Sequence, residues 1–325
     1  MKRVVKAYLG RPEIVALVVL GLLILYFSLR SEGLFVSPAN LRGILSLWPE
    51  LAILSLGFAV LMIAGEFDLS IGSMFGFMPM VVAALASAGI PFWFAFVCGC
   101  LVCVAVGMVN GAVTLWFGIP SFIATLGMLF MLRSLSVVVY TIGSAPTLAP
   151  DAPRWAFSAP IGNVRVSLIW LVALSGALYV LLERTNLGNW VRATGAAPIS
   201  AQALGIRVRA VKMTAFVICS LLAGLAGLIQ VMRIGSPLPS FGDGLELQAI
   251  AAAVIGGVAL TGGVGSVFGA VIGMAIIRII DAGMIISRVD ANWFKFAIGA
   301  LTVLAVMLNA WLGRRAQRIK VQPGR

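Results

Sequence analysis

Residues 92–115 read FWFAFVCGCLVCVAVGMVNGAVTL, an apolar run without a charged side chain. A helix of about 20 consecutive apolar residues crosses the hydrocarbon core of a bilayer, so this run predicts a membrane-spanning helix. Nine further apolar segments of the same kind lie at 14–29, 44–64, 71–88, 122–140, 166–182, 211–231, 247–260, 267–286 and 294–312. The sequence therefore predicts an all-α, polytopic transmembrane helical bundle of about ten spans.

The composition points to the same class of protein. Hydrophobic residues make up 61% of the 325 residues, charged residues make up 10%, and the mean hydropathy is +1.09. Soluble domains are only about half apolar and about a quarter charged. A soluble globular protein, a disordered tail and a secreted disulfide scaffold are therefore excluded. An outer-membrane barrel is not expected either, because its strands alternate apolar and polar residues.

The net charge of +12 is concentrated in a few places. Because lysine and arginine accumulate in cytoplasmic segments, we expect both termini and the loop 183–212 to be cytoplasmic, with six spans before this loop and four after it. The basic residues then face anionic lipid headgroups, and no nucleic-acid partner is expected. The three clusters are Lys2, Arg3, Lys6 and Arg11; Arg184, Arg192, Arg207, Arg209 and Lys212; and Arg314, Arg315, Arg318, Lys320 and Arg325.

Nothing in the chain indicates a soluble domain or an enzyme, so we expect a single transmembrane domain over residues 1–325. The sequence has no G-x-x-x-x-G-K-[ST] motif, and any dependence on ATP would come from another subunit. Cys98, Cys100, Cys103 and Cys219 lie in apolar runs, and the chain has no histidine. We interpret the cysteines as packing residues and expect neither a metal nor a cofactor.

Two carboxylates interrupt the apolar pattern in the segment GEFDLSIGS at 65–73. Two interpretations are open. In the first, the chain turns in the cytoplasm, Glu66 and Asp68 are solvated, and Asp68 or Ser70 caps the next helix. In the second, the turn lies within the membrane, where carboxylates need partners and mark a functional site.

Arg133 lies well inside an apolar run. A charge at this depth costs about 3 kcal/mol on insertion scales, so a partner is expected, and we hypothesise a pairing with Glu66 or Asp68. The alternative is an arginine whose charged group reaches the membrane surface. Arg278 and Asp281, three residues apart on one predicted helix, are expected to pair locally.

The polar loop 187–206 reads LGNWVRATGAAPISAQALGI. Residues 200–204 predict a short helix bounded by Pro198 and Gly205. A short exposed helix with small side chains suits docking into a groove of a partner protein. The alternative is an ordinary loop whose arginines lie at the membrane surface.

Glycines dominate the segment 250–273, where their spacing predicts close packing of helices in the membrane. The packing glycines are Gly256, Gly257, Gly265, Gly269 and Gly273. The motif G-S-x-F-G also occurs twice, at 72–76 and at 265–269. It indicates either an internal repeat, as in many transporters, or a chance match in a glycine-rich chain.

The sequence resembles the permease subunits of bacterial ABC sugar transporters that handle ribose, xylose, arabinose, galactose and similar sugars. Four stretches carry the resemblance in the family's order: 65–73, 110–133 (NGAVTLWFGIPSFIATLGMLFMLR), 187–206 and 246–273 (ELQAIAAAVIGGVALTGGVGSVFGAVIG). The chain departs from the family at Ala197, where asparagine is usual, and at Gln248, where aspartate is usual.

The resemblance implies a non-catalytic permease of the bacterial inner membrane. Its implied partners are a cytoplasmic ATPase that binds ATP-Mg, a periplasmic sugar-binding protein, and a second permease copy or paralogue. The loop 187–206 would couple the permease to the ATPase through Arg192, Gly195, Pro198, Ser200, Ala201, Leu204 and Gly205. The polar residues that would line or support the translocation pathway are Glu66, Asp68, Ser70, Asn110, Ser121, Thr125 and Arg133.

Two other functions are open on the sequence. Related ABC permeases carry nucleosides or branched-chain amino acids instead of sugars. A secondary transporter driven by an ion gradient would need titratable or cation-binding groups near the membrane midplane, and this sequence has few of them.

Overall fold

The computed structural model describes residues 12–141, 146–148, 152–290 and 292–320. Eleven helices of at least 11 residues and two short ones, α6 and α9, follow each other in these residues: α1 (Pro12–Arg30), α2 (Pro38–Ile63), α3 (Ile71–Ser87), α4 (Phe92–Phe117), α5 (Ser121–Thr141), α6 (Arg154–Phe157), α7 (Val166–Arg184), α8 (Asn186–Ala196), α9 (Pro198–Ala203), α10 (Val208–Ile234), α11 (Leu245–Ile255), α12 (Val267–Ile286) and α13 (Asn292–Lys320). A 3-10 turn spans Leu34–Val36, and the strands β1 (Pro160–Ile161) and β2 (Val164–Arg165) form a small antiparallel hairpin.

Within these described residues, seven helices are long and apolar enough to cross a membrane, namely α1, α2, α4, α5, α7, α10 and α12. Shorter apolar helices cover Ile71–Ser87, Leu245–Ile255 and Trp293–Met307. The prediction of an all-α, multi-pass membrane protein is confirmed. The predicted basic residues at 2–11 and at Arg325 lie outside the described residues.

Two helices, α2 and α10, form the centre of the bundle. In the most apolar 18-residue window of each helix, 67% of α2 and 72% of α10 is buried, against 22% in α4 and 11% in α1. The helix α10 packs against α2, α3 and α4, while α12 packs against α1, α2 and α11. Large apolar side chains remain exposed on α1, α4 and α5, the surface expected where a helix faces lipid.

Local sequence signals set several helix ends. Ser37 caps α2 by accepting a hydrogen bond from the backbone N–H of Asn40, and Pro38 occupies the first helical position. The predicted span 247–260 is too long at its C-terminal end, because α11 ends at Ile255. Gly257 follows with a φ of 89°, a left-handed conformation that stops the helix.

Candidate coupling segment and polar network

A polar network surrounds the turn of residues 64–70 between α2 and α3. Asp68 is 0% exposed. Its Oδ1 accepts hydrogen bonds from the backbone N–H of Ser70 at 2.7 Å and from the Ser70 hydroxyl at 2.6 Å. From α4, the Asn110 side-chain amide donates to Asp68 Oδ2 at 3.2 Å and to Ser70 Oγ at 2.9 Å.

This burial overturns the first interpretation of the turn for Asp68. The prediction of a solvated Asp68 is wrong, because protein groups take the place of water around its carboxylate. The capping prediction is wrong as well. Ser70 occupies the N-cap position of α3 without a side-chain capping bond, and Asp68 binds Ser70 rather than the first turn of the helix.

The first turns of α5 hold the other side of the same turn. Ser121 Oγ accepts a hydrogen bond from the backbone N–H of Phe67 at 3.2 Å, and Thr125 Oγ1 accepts one from Leu69 at 3.0 Å. The Thr125 hydroxyl also donates to Ser121 O at 2.7 Å. Non-helical backbone inside a membrane protein must have its N–H groups satisfied by protein, and these two side chains do so.

Glu66 forms an ion pair that sequence reasoning did not predict. Lys212 Nζ on α10 lies 2.5 Å from Glu66 Oε1, and the two side chains are 13% and 12% exposed. The pair fixes the turn against α10. The structure thus brings together Glu66, Asp68, Ser70, Asn110, Ser121 and Thr125 around one turn.

Arg133 lies apart from this network, and its predicted pairing with Glu66 or Asp68 is wrong. Its Nη2 lies 2.6 Å from Asp243 Oδ1, and its Nη1 donates to the carbonyls of Pro239 at 2.6 Å and Phe241 at 3.0 Å. The physical reason is distance along α5. Arg133 lies eight residues beyond Thr125, which corresponds to about 12 Å along the helix axis.

The predicted coupling loop consists of two helices rather than one. The helix α8 precedes α9, and α9 covers Pro198–Ala203 instead of the predicted 200–204. Ala201 is 2% exposed and anchors α9, whereas Ile199 and Leu204 are 85% and 82% exposed. Gly205 follows with a φ of 84°. Two large apolar side chains thus project in a polar segment, one from α9 and one from its C-cap residue.

An ion pair ties α8 to the end of α7. Arg192 pairs with Glu183, and its Nη1 also donates to the backbone carbonyl of Leu182 at 3.3 Å. Both Nη atoms of Arg192 donate to the Glu183 carboxylate, and this two-point contact holds α8 against the end of α7. Arg192 therefore supports α8 from within rather than projecting with Ile199 and Leu204.

The glycines of 256–273 lie where helices meet at backbone distance. A Cβ on Gly269 would lie 2.1 Å from the Gly256 carbonyl oxygen, and one on Gly273 would lie 1.9 Å from that of Ala252. Gly265 faces the side chain of Ile63 instead, where a Cβ would lie 2.8 Å from Cγ1. The helices α11 and α12 therefore touch through their backbones at Gly256, Gly269 and Gly273.

Sequence reasoning missed a buried ion pair between α2 and α10. Glu50 is 1% exposed, and Arg233 Nε lies 3.4 Å from its Oε1. The available signal was the carboxylate inside the apolar run 44–64. Arg278 and Asp281 pair at 2.5 Å, as predicted.

The part of the chain that the structure describes contains no group of three or more histidine, cysteine, aspartate or glutamate residues that could hold a metal ion. All four cysteines are free, with Cys103 and Cys219 buried and Cys98 and Cys100 half-buried. The polar residues described above bind each other and the backbone.

Comparison with known proteins places the chain in a family. Residues 40–306 match the family described as "Branched-chain amino acid transport system / permease component". The chain is 31% identical over 308 residues, 95% of its length, to the probable ABC transporter permease protein YphD of Escherichia coli, covering 92% of that protein. It is 32% identical over 298 residues to the D-allose transport system permease protein AlsC of Escherichia coli, covering 91% of each chain.

A third relative is the autoinducer 2 import system permease protein LsrC of Photorhabdus luminescens, at 32% identity over 293 residues, 87% of this chain and 82% of that protein. No solved structure matches the chain. The family match spans most of the residues that form the bundle and the polar network. The chain therefore belongs to the branched-chain amino acid transport system permease family and is a non-catalytic membrane subunit of an ABC transporter.

Proposed function

We propose that this chain is the permease subunit of an ATP-driven importer that carries a sugar, a pentose or a hexose, across the bacterial inner membrane. Relatives of similar length are named for D-allose transport and autoinducer 2 import, which supports a small polar cargo. The sequence has no phosphate-binding loop, so the energy comes from a cytoplasmic ATPase that binds ATP-Mg. An ion-driven secondary transporter is not favoured by the family.

The observation that carries this proposal is the exposed pair Ile199 and Leu204 on the α8–α9 segment. Large apolar side chains that are more than four-fifths exposed beside arginines indicate a protein partner rather than solvent. A short helix with apolar anchors is a common mode of docking into a groove. We propose that the segment 187–206 inserts into the ATPase as the coupling element.

The proposed topology has ten spans, formed by the seven long apolar helices and by α3, α11 and α13. With an even number of spans, both termini and the segment 187–206 lie on the cytoplasmic face, as the basic clusters favour. The whole chain, 1–325, acts as one transmembrane domain in the lipid bilayer. A second permease copy or a paralogue completes the pathway, and a periplasmic sugar-binding protein delivers the cargo.

The polar network is the proposed pathway support. Asp68, Ser70 and Asn110 bind each other inside the bundle, and Ser121 and Thr125 hold the backbone of the same turn. These side chains bind one another and backbone groups of the turn, which favours a supporting role for the network over direct contact with the sugar.

Co-purification of the tagged permease with its ATPase tests the docking surface. We expect the variant Ile199→Ser/Leu204→Ser to lower ATPase recovery by about tenfold or more, since loss of each interface anchor costs on the order of 1–2 kcal/mol. Ile161→Ser is the matched control, because Ile161 is 51% exposed but lies in the β1–β2 hairpin. Equal ATPase recovery from the double variant and the control would contradict the docking proposal.

Import itself is tested in proteoliposomes that contain permease, ATPase and binding protein. The probes are radiolabelled D-ribose, D-xylose, L-arabinose, D-galactose and D-allose, each with and without ATP. We expect ATP-dependent uptake of at least one probe. Uptake that needs no ATPase, or uptake of a branched-chain amino acid in place of every sugar, would refute the proposed function.

A further inference from the structure

Gly195, in the last turn of α8, touches two other segments through backbone atoms alone. A Cβ on Gly195 would lie 1.9 Å from the carbonyl oxygen of Ile63 and 2.6 Å from the amide nitrogen of Gly263. Ile63 ends α2, and Gly263 lies in the turn 256–266 between α11 and α12. No side chain separates the three backbones at this point.

The two turns are also joined to each other. The backbone N–H of Gly263 donates to Ile63 O at 2.8 Å. A Cβ on Gly262 would lie 2.8 Å from the Cα of Gly65 and 3.0 Å from Gly195 O. Gly65, Gly262 and Gly263 have φ values of 84°, 79° and 79°, a conformation that glycine adopts without steric cost. We call Gly65, Gly195, Gly262 and Gly263 the glycine junction.

The glycine junction lies between the exposed helix α9 and two helices of the bundle. Through Ala197, α8 leads directly into α9, which carries Ile199 and ends at its C-cap residue Leu204. The turn 64–70 leads into α3, and the turn 256–266 leads into α12. The turn 64–70 is also joined to α10 by the ion pair of Glu66 with Lys212. It is joined to α4 by the hydrogen bond from Asn110 to Asp68.

Backbones in direct contact transmit displacement better than side chains, because a side chain can change rotamer and a packed backbone cannot compress. We propose that the glycine junction is the positioning device that passes movement of α9 to α3 and α12, with Gly195 as its contact residue. The inference rests on the proposed function, since it assumes that an ATPase displaces α9. It predicts that displacement of α9 moves α3 and α12, two helices that are distant from each other in sequence.

The alternative route runs along the chain, from α9 through residues 204–207 into α10. The two routes respond differently to a methyl group at position 195. Real Cβ atoms essentially never lie within 3.0 Å of another heavy atom, so Gly195→Ala must open the contact with Ile63 O from 1.9 Å by about 1.1 Å. The covalent route through residues 204–207 is left untouched by that substitution.

The test measures coupling in the reconstituted complex, as the number of ATP molecules hydrolysed per sugar molecule imported, with the probe sugar that the wild type takes up best. For Gly195→Ala we expect unchanged ATPase recovery, ATP hydrolysis close to the wild-type rate, and a ratio raised by about tenfold, within the range by which substitutions alter coupling. Gly127→Ala and Gly176→Ala are matched controls, because a Cβ at either position meets no atom within 4 Å.

A merely structural role for Gly195 predicts a different result. Import and ATP hydrolysis then fall together with the yield of folded complex, and the ratio stays at the wild-type value, which would overturn the inference. If Gly195→Ala does not fold, Ala196→Val serves instead, because Ala196 is exposed and its Cβ faces Gly263. A wild-type ratio in Ala196→Val would also overturn it, whereas failure of the wild-type complex to import any sugar would refute the proposed function itself.

Discussion

The partner of Arg133 can be tested by two double-mutant cycles. Arg133 donates to the carbonyls of Pro239 and Phe241 and pairs with Asp243, whose side chain is 63% exposed. It shares no hydrogen-bond partner with Asp68, whose contacts are Ser70 and Asn110. The first cycle combines Arg133→Ala with Asp243→Asn, and the second combines Arg133→Ala with Asp68→Asn.

The structure sets the expected magnitudes. Each hydrogen bond from a charged group contributes about 1.5–3 kcal/mol, so loss of the two carbonyl contacts makes Arg133→Ala cost about 3–6 kcal/mol. The ion pair with Asp243 is largely exposed on the acidic side, which limits the coupling energy of the first cycle to about 0.5–1 kcal/mol. The second cycle should be additive within about 0.3–0.5 kcal/mol, because the sites are distant and share no partner.

Equilibrium unfolding of the purified permease in mixed micelles, followed by tryptophan fluorescence, supplies the free energies. Leu135→Ala is the control on the same helix, since Leu135 is 47% exposed. Its cost should stay within about 0.5 kcal/mol. A coupling energy above about 1 kcal/mol between Arg133 and Asp68, with none between Arg133 and Asp243, would refute the pairing seen in the structure.

Three further outcomes follow from the same contacts. Glu66→Lys and Lys212→Glu should each destabilise the permease by about 3 kcal/mol in the unfolding assay. The double charge swap should be at least about 1 kcal/mol more stable than either single variant, and a double variant no more stable than the single ones would contradict a direct pair. Gly269→Val should lower the free energy of unfolding by about 3 kcal/mol through overpacking, while Gly127→Val, at an open position, should cost less than about 1 kcal/mol. Asp68→Ala should cost about 2–3 kcal/mol by stranding the donors of Ser70 and Asn110, and Asp68→Asn about 1 kcal/mol; the reverse order, read from the same unfolding curves, would show that the carboxylate is not the acceptor.

Much of the fold could be predicted because a helix that crosses the membrane needs about 20 consecutive apolar residues. The run 92–115, free of charge, predicted α4 to within a few residues of its observed bounds, Phe92–Phe117. The start of α2 at Pro38 was missed by six residues, since its first turns are polar and an apolar run begins only at Ile44. Apolar runs mark the part of a helix that meets lipid, whereas caps and prolines set its ends.

The candidate site was predicted in part, for a different physical reason. A buried polar group needs a partner, so Asp68, Asn110, Ser121 and Thr125 were recognisable as residues that must find one. Which partner each one finds depends on how the helices pack. Ser121 and Thr125 bind backbone N–H groups of the turn at 3.2 and 3.0 Å. A pattern of side chains in the sequence does not indicate which backbone N–H groups will need an acceptor.

The ion pairs show why the identity of a buried charge's partner is harder to predict than the fact that the charge needs a partner. For Arg133 and Arg233, the chain offers 11 acidic residues, and in neither case is the partner the acidic residue nearest in sequence. Glu50 pairs with Arg233, Glu66 with Lys212, and Arg133 with Asp243.

These three pairs share an arrangement that only the packed bundle reveals. One member of each lies in α2, α5 or the turn between α2 and α3, and the other lies in α10 or the segment directly after it. The pairs of Glu50 with Arg233 and of Glu66 with Lys212 are largely removed from water, and such charges are stable only when paired. The helix α10, which carries Arg233 and Lys212, therefore cannot rotate or slide far against α2 and the turn 64–70 without leaving a charge unpaired in the interior. The long-range pairs therefore hold α10 in register with the first half of the chain. Charge pairing, in addition to apolar packing, thus keeps α10 at the centre of the bundle.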